Sequence, residues 1–176
     1  MNKDIRRLRR QLLKHGKKIL YSPQFTASFF QRHHFRTSVG EHSLQVAAIS
    51  LWICDLLEKK GISLDRDVIV KAALMHDLGM IGRNERYRNN FQTGKDHPAE
   101  SVKEAKKIYP ELDPVTEQVI LGHMWPLSLH APKSLEGVVI CIADKLGSIT
   151  DLMPFAQRWD HRWARYFKRR SGPYIR

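Results

Sequence analysis

A chain of 176 residues is long enough for one domain with a real core and too short for two of ordinary size, so a single domain over residues 1–176 is expected. Its net charge of +12 is confined to the ends, with eight Lys/Arg against one acid in residues 1–20 and seven against one in residues 155–176. The basic start has no apolar stretch behind it, no run of about eighteen apolar residues follows, and the two cysteines, Cys54 and Cys141, lie in apolar patterns, which together argue against a signal peptide, a membrane span or a disulfide framework and for a cytoplasmic protein with buried free thiols.

Apolar residues recur at helical spacing nearly throughout, and strand-like alternation is essentially absent, so the fold class is all-α, a single-domain helical bundle. A first helix is expected over about Lys3 to Leu20, with Ile5, Leu8, Leu12 and Ile19 on one side and the basic residues on the other. Tyr21 to Thr37 carries no clear pattern. Ser38-Val39-Gly40-Glu41 has the form of a capping box and should start a helix whose inner stripe is His42, Val46, Ile49, Ile53 and Leu56, ended by Gly61. The next helix starts near Asp67, carries Val68, Ala72, Met75, His76 and Gly79 on one side, and stops at Gly79 and Gly82. Arg83 to Asp96 reads as a polar loop.

Pro98 is suited to the first position of a short helix to Tyr109, because its missing N–H costs nothing there. Asp113-Pro114 repeats that start, with Val115, Val119, Ile120 and His123 inward and Pro126 as the stop. Ser134 caps a helix whose Val138-Val139-Ile140-Cys141-Ile142-Ala143 run is apolar on all sides and so central, with Asp144 directly in its continuation. Pro154 opens a last helix with Phe155, Trp159, Trp163 and Phe167 toward the protein.

Several of these helices present His or Asp on the inward face, where an apolar residue is the ordinary choice. Buried unpaired, the carboxylates of Asp77 and Asp144 would be prohibitively costly, and Lys/Arg are scarce on the same faces. Imidazoles and carboxylates together are the usual donors to a divalent first-row metal, so one ion held by His42, His76, Asp77 and Asp144 would resolve the burial costs at once.

The spacing H…HD…D, with Glu41-His42-Ser43 opening a helix, Met75-His76-Asp77-Leu78-Gly79 ending one and Ala143-Asp144-Lys145-Leu146 inside a third, resembles the HD superfamily of metal-dependent phosphohydrolases over roughly Phe35 to Thr150. That resemblance implies an all-α bundle flanked here by basic terminal helices, with His76 and Asp77 at the catalytic centre. It also implies a divalent metal (Mn, Mg, Co, Ni, Fe or Zn) that activates water against a phosphoester or phosphoanhydride of a nucleotide or similar small phosphorylated substrate. In relatives with two metals, further histidines between the HD pair and the last Asp bind the second ion, and His97 and His123 occupy those places. The plainer readings are a helix N-terminal His97 and a hydrogen-bonded core His123. The chain lacks the adjacent His-His and the Gly-Tyr-Pro signature of the cyclic-dinucleotide-cleaving branch, which disfavours that substrate.

Where many HD sequences carry Lys after the HD-x-Gly run, this chain has Met80. Lys145, Arg83 and Arg36 are the candidates to bind substrate phosphate instead, with Arg86, Arg88, Arg32, His33 and His34 further back. His15, His130 and His161 read as surface residues. Two other functions stay open at this level: an HD-type di-iron oxygenase using the same six residues, and a polyanion-binding or signalling module whose basic ends contact nucleic acid around a structural HD site. Homo-oligomer formation is also left open.

Overall fold

The computed structural model describes residues 3–34 and 37–151, which form eight α-helices and one two-stranded hairpin, so the fold is all-α. Arg36 and the helix expected from Pro154 lie outside the described residues. Helix α1 (Lys3–Leu20) runs as expected, and the unpatterned stretch after it holds a short α2 (Pro23–Ser28) and the hairpin β1 (Arg32–His34) and β2 (Thr37–Ser38). Strands this short carry no readable alternation. Ser38 closes the hairpin and caps α3 (Val39–Glu58) through the complete capping box with Glu41.

Asp65 caps α4 (Arg66–Met75) by accepting from the backbone N–H groups of Asp67 and Val68. This helix touches α1, α3, α7 and α8, which is why Val68 to Met75 is buried at every position but Lys71. Leu12 and Ile19 of α1, Ile69 and Leu74 of α4, Ile120 of α7 (Pro114–Gly122) and Ile140 of α8 (Leu135–Asp151) belong to one continuous apolar cluster. Each such buried side chain contributes about 1.5–3 kcal/mol relative to exposure. Both cysteines are buried and free, and burial pushes the Cys54 thiol up to about 11. No helix among the described residues is long and apolar enough to cross a membrane.

Five local expectations are corrected. Residues 83–96 are not a loop: they hold α5 (Arg83–Arg86) and the first turns of α6 (Asn90–Ile108). Asn89 caps α6 by accepting from Gln92 N, which moves the start eight residues ahead of Pro98 and leaves that proline in the interior. The stripes of α3 and α7 are shifted, with Leu56 at 39% and Val115 at 47% exposure while Cys54 and Thr116 are buried, because each helix turns a different edge to α4. Finally, α8 is not surrounded: Val139, Ile140 and Ala143 are buried, whereas Val138 and Ile142 are 40% and 47% exposed. His15, expected at the surface, is part-buried 3.2 Å from Asp67.

Candidate metal centre

All six expected ligands are buried and meet at one junction. The capping box puts His42 on the first turn of α3, facing α8. A Cβ on Gly147 of α8 would sit 3.2 Å from His42 Cε1 and from Val46 Cγ2, so glycine lets the two helices close until His42 Nε2 lies 3.0 Å from Asp144 Oδ1. His76 caps the C-terminus of α4, and Asp77 leaves the helix at φ −110° and ψ 9°, starting the tight 3-10 turn Leu78–Met80. Gly79 in that turn packs straight onto the α6 backbone: its N–H donates to Ser101 Oγ at 2.9 Å, and a Cβ would collide with the His97 carbonyl. The HD turn is thereby pinned beside His97, which sits in the middle of α6 rather than at its start. His123 caps the end of α7 and is fully buried.

Asp77 is the hub. Its Oδ2 lies 3.4 Å from His76 Nε2 and 4.0 Å from His42 Nε2, and Asp144 Oδ1 is 3.7 Å from His76 Nε2. Its other oxygen, Oδ1, faces His97 Nε2 at 3.0 Å and His123 Nε2 at 3.6 Å. With metal–donor distances of about 2.0–2.2 Å, two donors on one ion stand about 2.9 Å apart at a right angle and about 4.2 Å apart across it. The separations therefore fit two donor sets that share Asp77, one with His42, His76 and Asp144 and one with His97 and His123.

The tautomers point the same way. Nδ1 of His76, His97 and His123 lies 2.9, 2.8 and 2.6 Å from the carbonyls of Ala73, Thr93 and Ile120, respectively. A carbonyl only accepts, so each Nδ1 carries the proton and, in the neutral ring, each Nε2 presents a lone pair to the junction. His97 Nε2 and His123 Nε2 then face each other at 2.9 Å, a pairing that two lone pairs cannot satisfy and a cation can. His76 Nε2 and Asp77 Oδ2 are buried without an aligned hydrogen bond.

The electrostatics also call for positive charge. Burial disfavours ionised Asp77 and Asp144, but the imidazoles around them outweigh it and hold both carboxyls well below the usual range. Burial likewise opposes a charged His76, yet Asp77 and then Asp144 raise its pKa to about 10. His123 is pushed down, chiefly by burial. The donor chemistry, the separations and the orphaned atoms fit a divalent metal.

A cavity of about 730 Å³ opens onto this junction, with His33, Asp77, His97 and Asp144 in its wall. Lys145 and Arg83 also line it, as two of the three expected phosphate contacts; Arg36 is not described. Lys145 Nζ leans back on the Cys141 carbonyl at 3.2 Å, and Arg83 Nη1 donates to the His33 carbonyl at 3.2 Å. Arg86 instead turns to Glu104 at 3.5 Å. Sequence reasoning placed His33 only among possible phosphate contacts; the structure sets its Nε2 3.0 Å from Asp77 Oδ2. No periodic signal marks a residue in a three-residue strand.

The family described as HD domain matches residues 39–148. The chain is 26% identical over 128 residues to the dihydroneopterin 2',3'-cyclic phosphate phosphodiesterase of Methanocaldococcus jannaschii, covering 69% of this chain and 51% of that protein. It thus spans about half the length of this relative. A conserved hypothetical protein from Pyrococcus furiosus, whose structure is solved, aligns with 97% of this chain and 96% of its own at 24% identity and a TM-score of 0.43. Because the family match runs from the start of α3 through Asp144, over more than half of the chain, and takes in all six expected ligands, this chain belongs to the HD-domain family.

Proposed function

We propose that this chain is a metal-dependent phosphohydrolase that uses water to cleave a phosphoester or phosphoanhydride of a nucleotide or related small metabolite, with residues 1–176 as one domain. The observation that carries the reading is the division of donors about Asp77, whose two oxygens each face a separate histidine group. His42, His76, Asp77 and Asp144 would hold one ion, and Asp77, His97 and His123 a second. A divalent ion held there supplies an acidified water and positive charge against phosphoryl oxygens. The chain's own contribution is to fix the donors: three carbonyls lock the imidazole tautomers, and Gly79 and Gly147 allow the close approach. Lys145 and Arg83 supply cationic groups on the cavity wall for substrate phosphate. Met124, Pro126, Leu127 and Ile149 offer an apolar surface beside them, and the volume falls in the range of small-molecule sites.

The name of the M. jannaschii relative carries a cyclic phosphodiester, so a nucleoside 2',3'-cyclic phosphate is the first substrate to offer. The test is a screen of phosphorylated metabolites, starting there, with Mn, Co, Ni, Mg and Fe added separately. Hydrolysis with none of these metals overturns the reading. Metal count tests the two-ion form: manganese-loaded, desalted wild type should approach two ions per chain, and His123→Ala about one. A wild-type ratio that stays at one under saturating metal refutes the dinuclear version.

A further inference from the structure

His33 lies on the hairpin, ahead of the residues matched by the family, and it is the fifth imidazole at the junction. Its Nε2 is 3.0 Å from Asp77 Oδ2, a separation that by itself would suit another metal ligand. The ring geometry says otherwise. His33 and His42 are stacked, with centroids 4.0 Å apart and planes 18° from parallel. An imidazole lone pair lies in the plane of its own ring, so two stacked rings direct their lone pairs along separate lines, and one ion cannot sit in both planes. His42, deeper and fully buried, keeps the ligand position; His33 leans on Asp77 from the cavity side. The contact stands at bonding distance but out of line for a hydrogen bond; because a carboxylate oxygen has more than one lone pair, Oδ2 could face an ion and, with a small turn of the carboxylate, still accept from His33.

The hairpin is fastened to the segment that follows the HD turn. Gly82 N donates to Gln31 Oε1 at 2.9 Å, Arg83 Nη1 donates to the His33 carbonyl at 3.2 Å, and Val39 N donates to the Gln31 carbonyl at 2.9 Å. Two of these bonds come from residues only five and six positions after Asp77. The carboxylate and the imidazole beside it are therefore held by one short, closed piece of chain.

We propose that His33 is a positioning residue for Asp77: not a metal ligand, but the group that holds Oδ2 in place while Oδ1 faces His97 and His123, with Arg83 setting His33 through its carbonyl. This rests on the metal-site reading above. It assigns Arg83 a supporting task besides any contact with phosphate, since one of its five N–H donors is engaged with the hairpin.

The test compares manganese binding by wild type, His33→Ala, His33→Gln and His76→Ala, followed by titration against a competing chelator and by elemental analysis at saturation. His33→Ala should weaken affinity by about 10–100-fold while the saturating ion count stays that of wild type, because loss of an outer partner loosens a ligand without removing one. His33→Gln, which keeps an N–H donor on the wall, should recover most of the loss. A saturating count lower by one ion would make His33 a ligand and overturn the proposal, as would unchanged affinity in His33→Ala or no recovery in His33→Gln. Arg83→Ala should also weaken metal binding, and the Arg83→Ala/His33→Ala double variant should lose little more than His33→Ala alone; additive losses would show that Arg83 does not act through His33. Wild-type binding by His76→Ala would instead sink the metal-site reading itself, an outcome separate from failure of the His33 variants alone.

Discussion

Helix α4 passes through two regions built on opposite rules. Along its length Ile69, Val70, Ala73 and Leu74 meet α1 and α3 in a wholly apolar layer, where each side chain loses its water and needs nothing further. At its end His76 and Asp77 enter a layer where no group is satisfied alone. Asp77 stands within 4.0 Å of five imidazoles, three of those imidazoles lean on backbone carbonyls, and the two facing Nε2 atoms of His97 and His123 are arranged as a shared cation would need them. Losses in the first layer should be local and roughly additive; losses in the second should be shared. The comparison can be broken or sharpened by perturbing each in turn.

The largest effect is expected at the hub. Asp77→Asn keeps the shape of the side chain and removes the charge that both donor sets share. Metal catalysis is worth several kcal/mol in the transition state, so hydrolysis should fall by about 1000-fold or more, with bound metal falling alongside it. Steady-state kinetics with elemental analysis checks both. Near-normal activity would show that Asp77 is a packing group after all.

Metal removal comes next. An ion at about a thousand times its Kd stabilises the folded state by about 4 kcal/mol, and in a chain of this size each kcal/mol moves Tm by about 2–4 °C. Chelator should therefore lower Tm by about 8–16 °C, and added manganese should restore it. Identical melting curves with and without chelator would show that the polar layer is complete without a cation.

In the apolar layer, Leu74→Ala should cost about 2–5 kcal/mol of stability through lost burial and the cavity it leaves. Gly16 of α1, whose Cβ position would lie 2.5 Å from Leu74 Cδ1, shows how closely the helices pack there. Urea denaturation measures the loss, and kcat of the folded fraction should stay within about twofold of wild type, because Leu74 packs toward Gly16 of α1 in the apolar cluster. A tenfold fall in kcat would mean that the two layers are not separable.

The two layers were also unequally legible in the sequence. Most of the apolar layer followed from spacing, with the stripe of α3 rotated; α3 begins where its capping box puts it, and α1 and α4 begin within a residue of the expected starts. The candidate ligands on α3, at the end of α4 and on α8 were legible because a buried His or Asp is conspicuous on an apolar face. His97 was found as a residue but misplaced on its helix: Pro98 resembles a helix start, and the local cost of an interior proline is outweighed here by the Asn89 cap and the burial of Thr93, Gly94 and His97. His33 was harder, since a short hairpin has no period and its place beside Asp77 depends on bonds from Gly82 to Gln31 and from Arg83 to His33, about fifty residues apart in the chain. The exposed side of α8 was misread because an all-round apolar run does not say how many neighbours it has.

The smallest effect is expected at the rim of the apolar layer, where Asp67 in the first turn of α4 meets Lys71 and His15. Burial opposes its ionisation, but Lys71 and His15 together lower its pKa below the ordinary value of 3.8. Its side chain is 43% exposed, so solvent screens the pair and the contribution at neutral pH should be under about 1 kcal/mol. A carboxyl depressed on folding binds fewer protons in the native state than in the unfolded one, so its stabilisation is present above the unfolded pKa and is lost as pH falls through the lower native one. Asp67→Asn should thus be slightly less stable than wild type at pH 7, and the gap should narrow as pH drops below about 4 and close once Asp67 is protonated in both states. Urea midpoints of the two proteins at pH 7 and at about pH 2.5 measure this gap, and the acid lability of the junction affects both proteins alike and cancels in the difference. A gap that is the same at both pH values would mean that Asp67 acts through shape rather than charge; one much above 1 kcal/mol at pH 7 would mean that even the rim of the apolar layer shares its charges as the junction does.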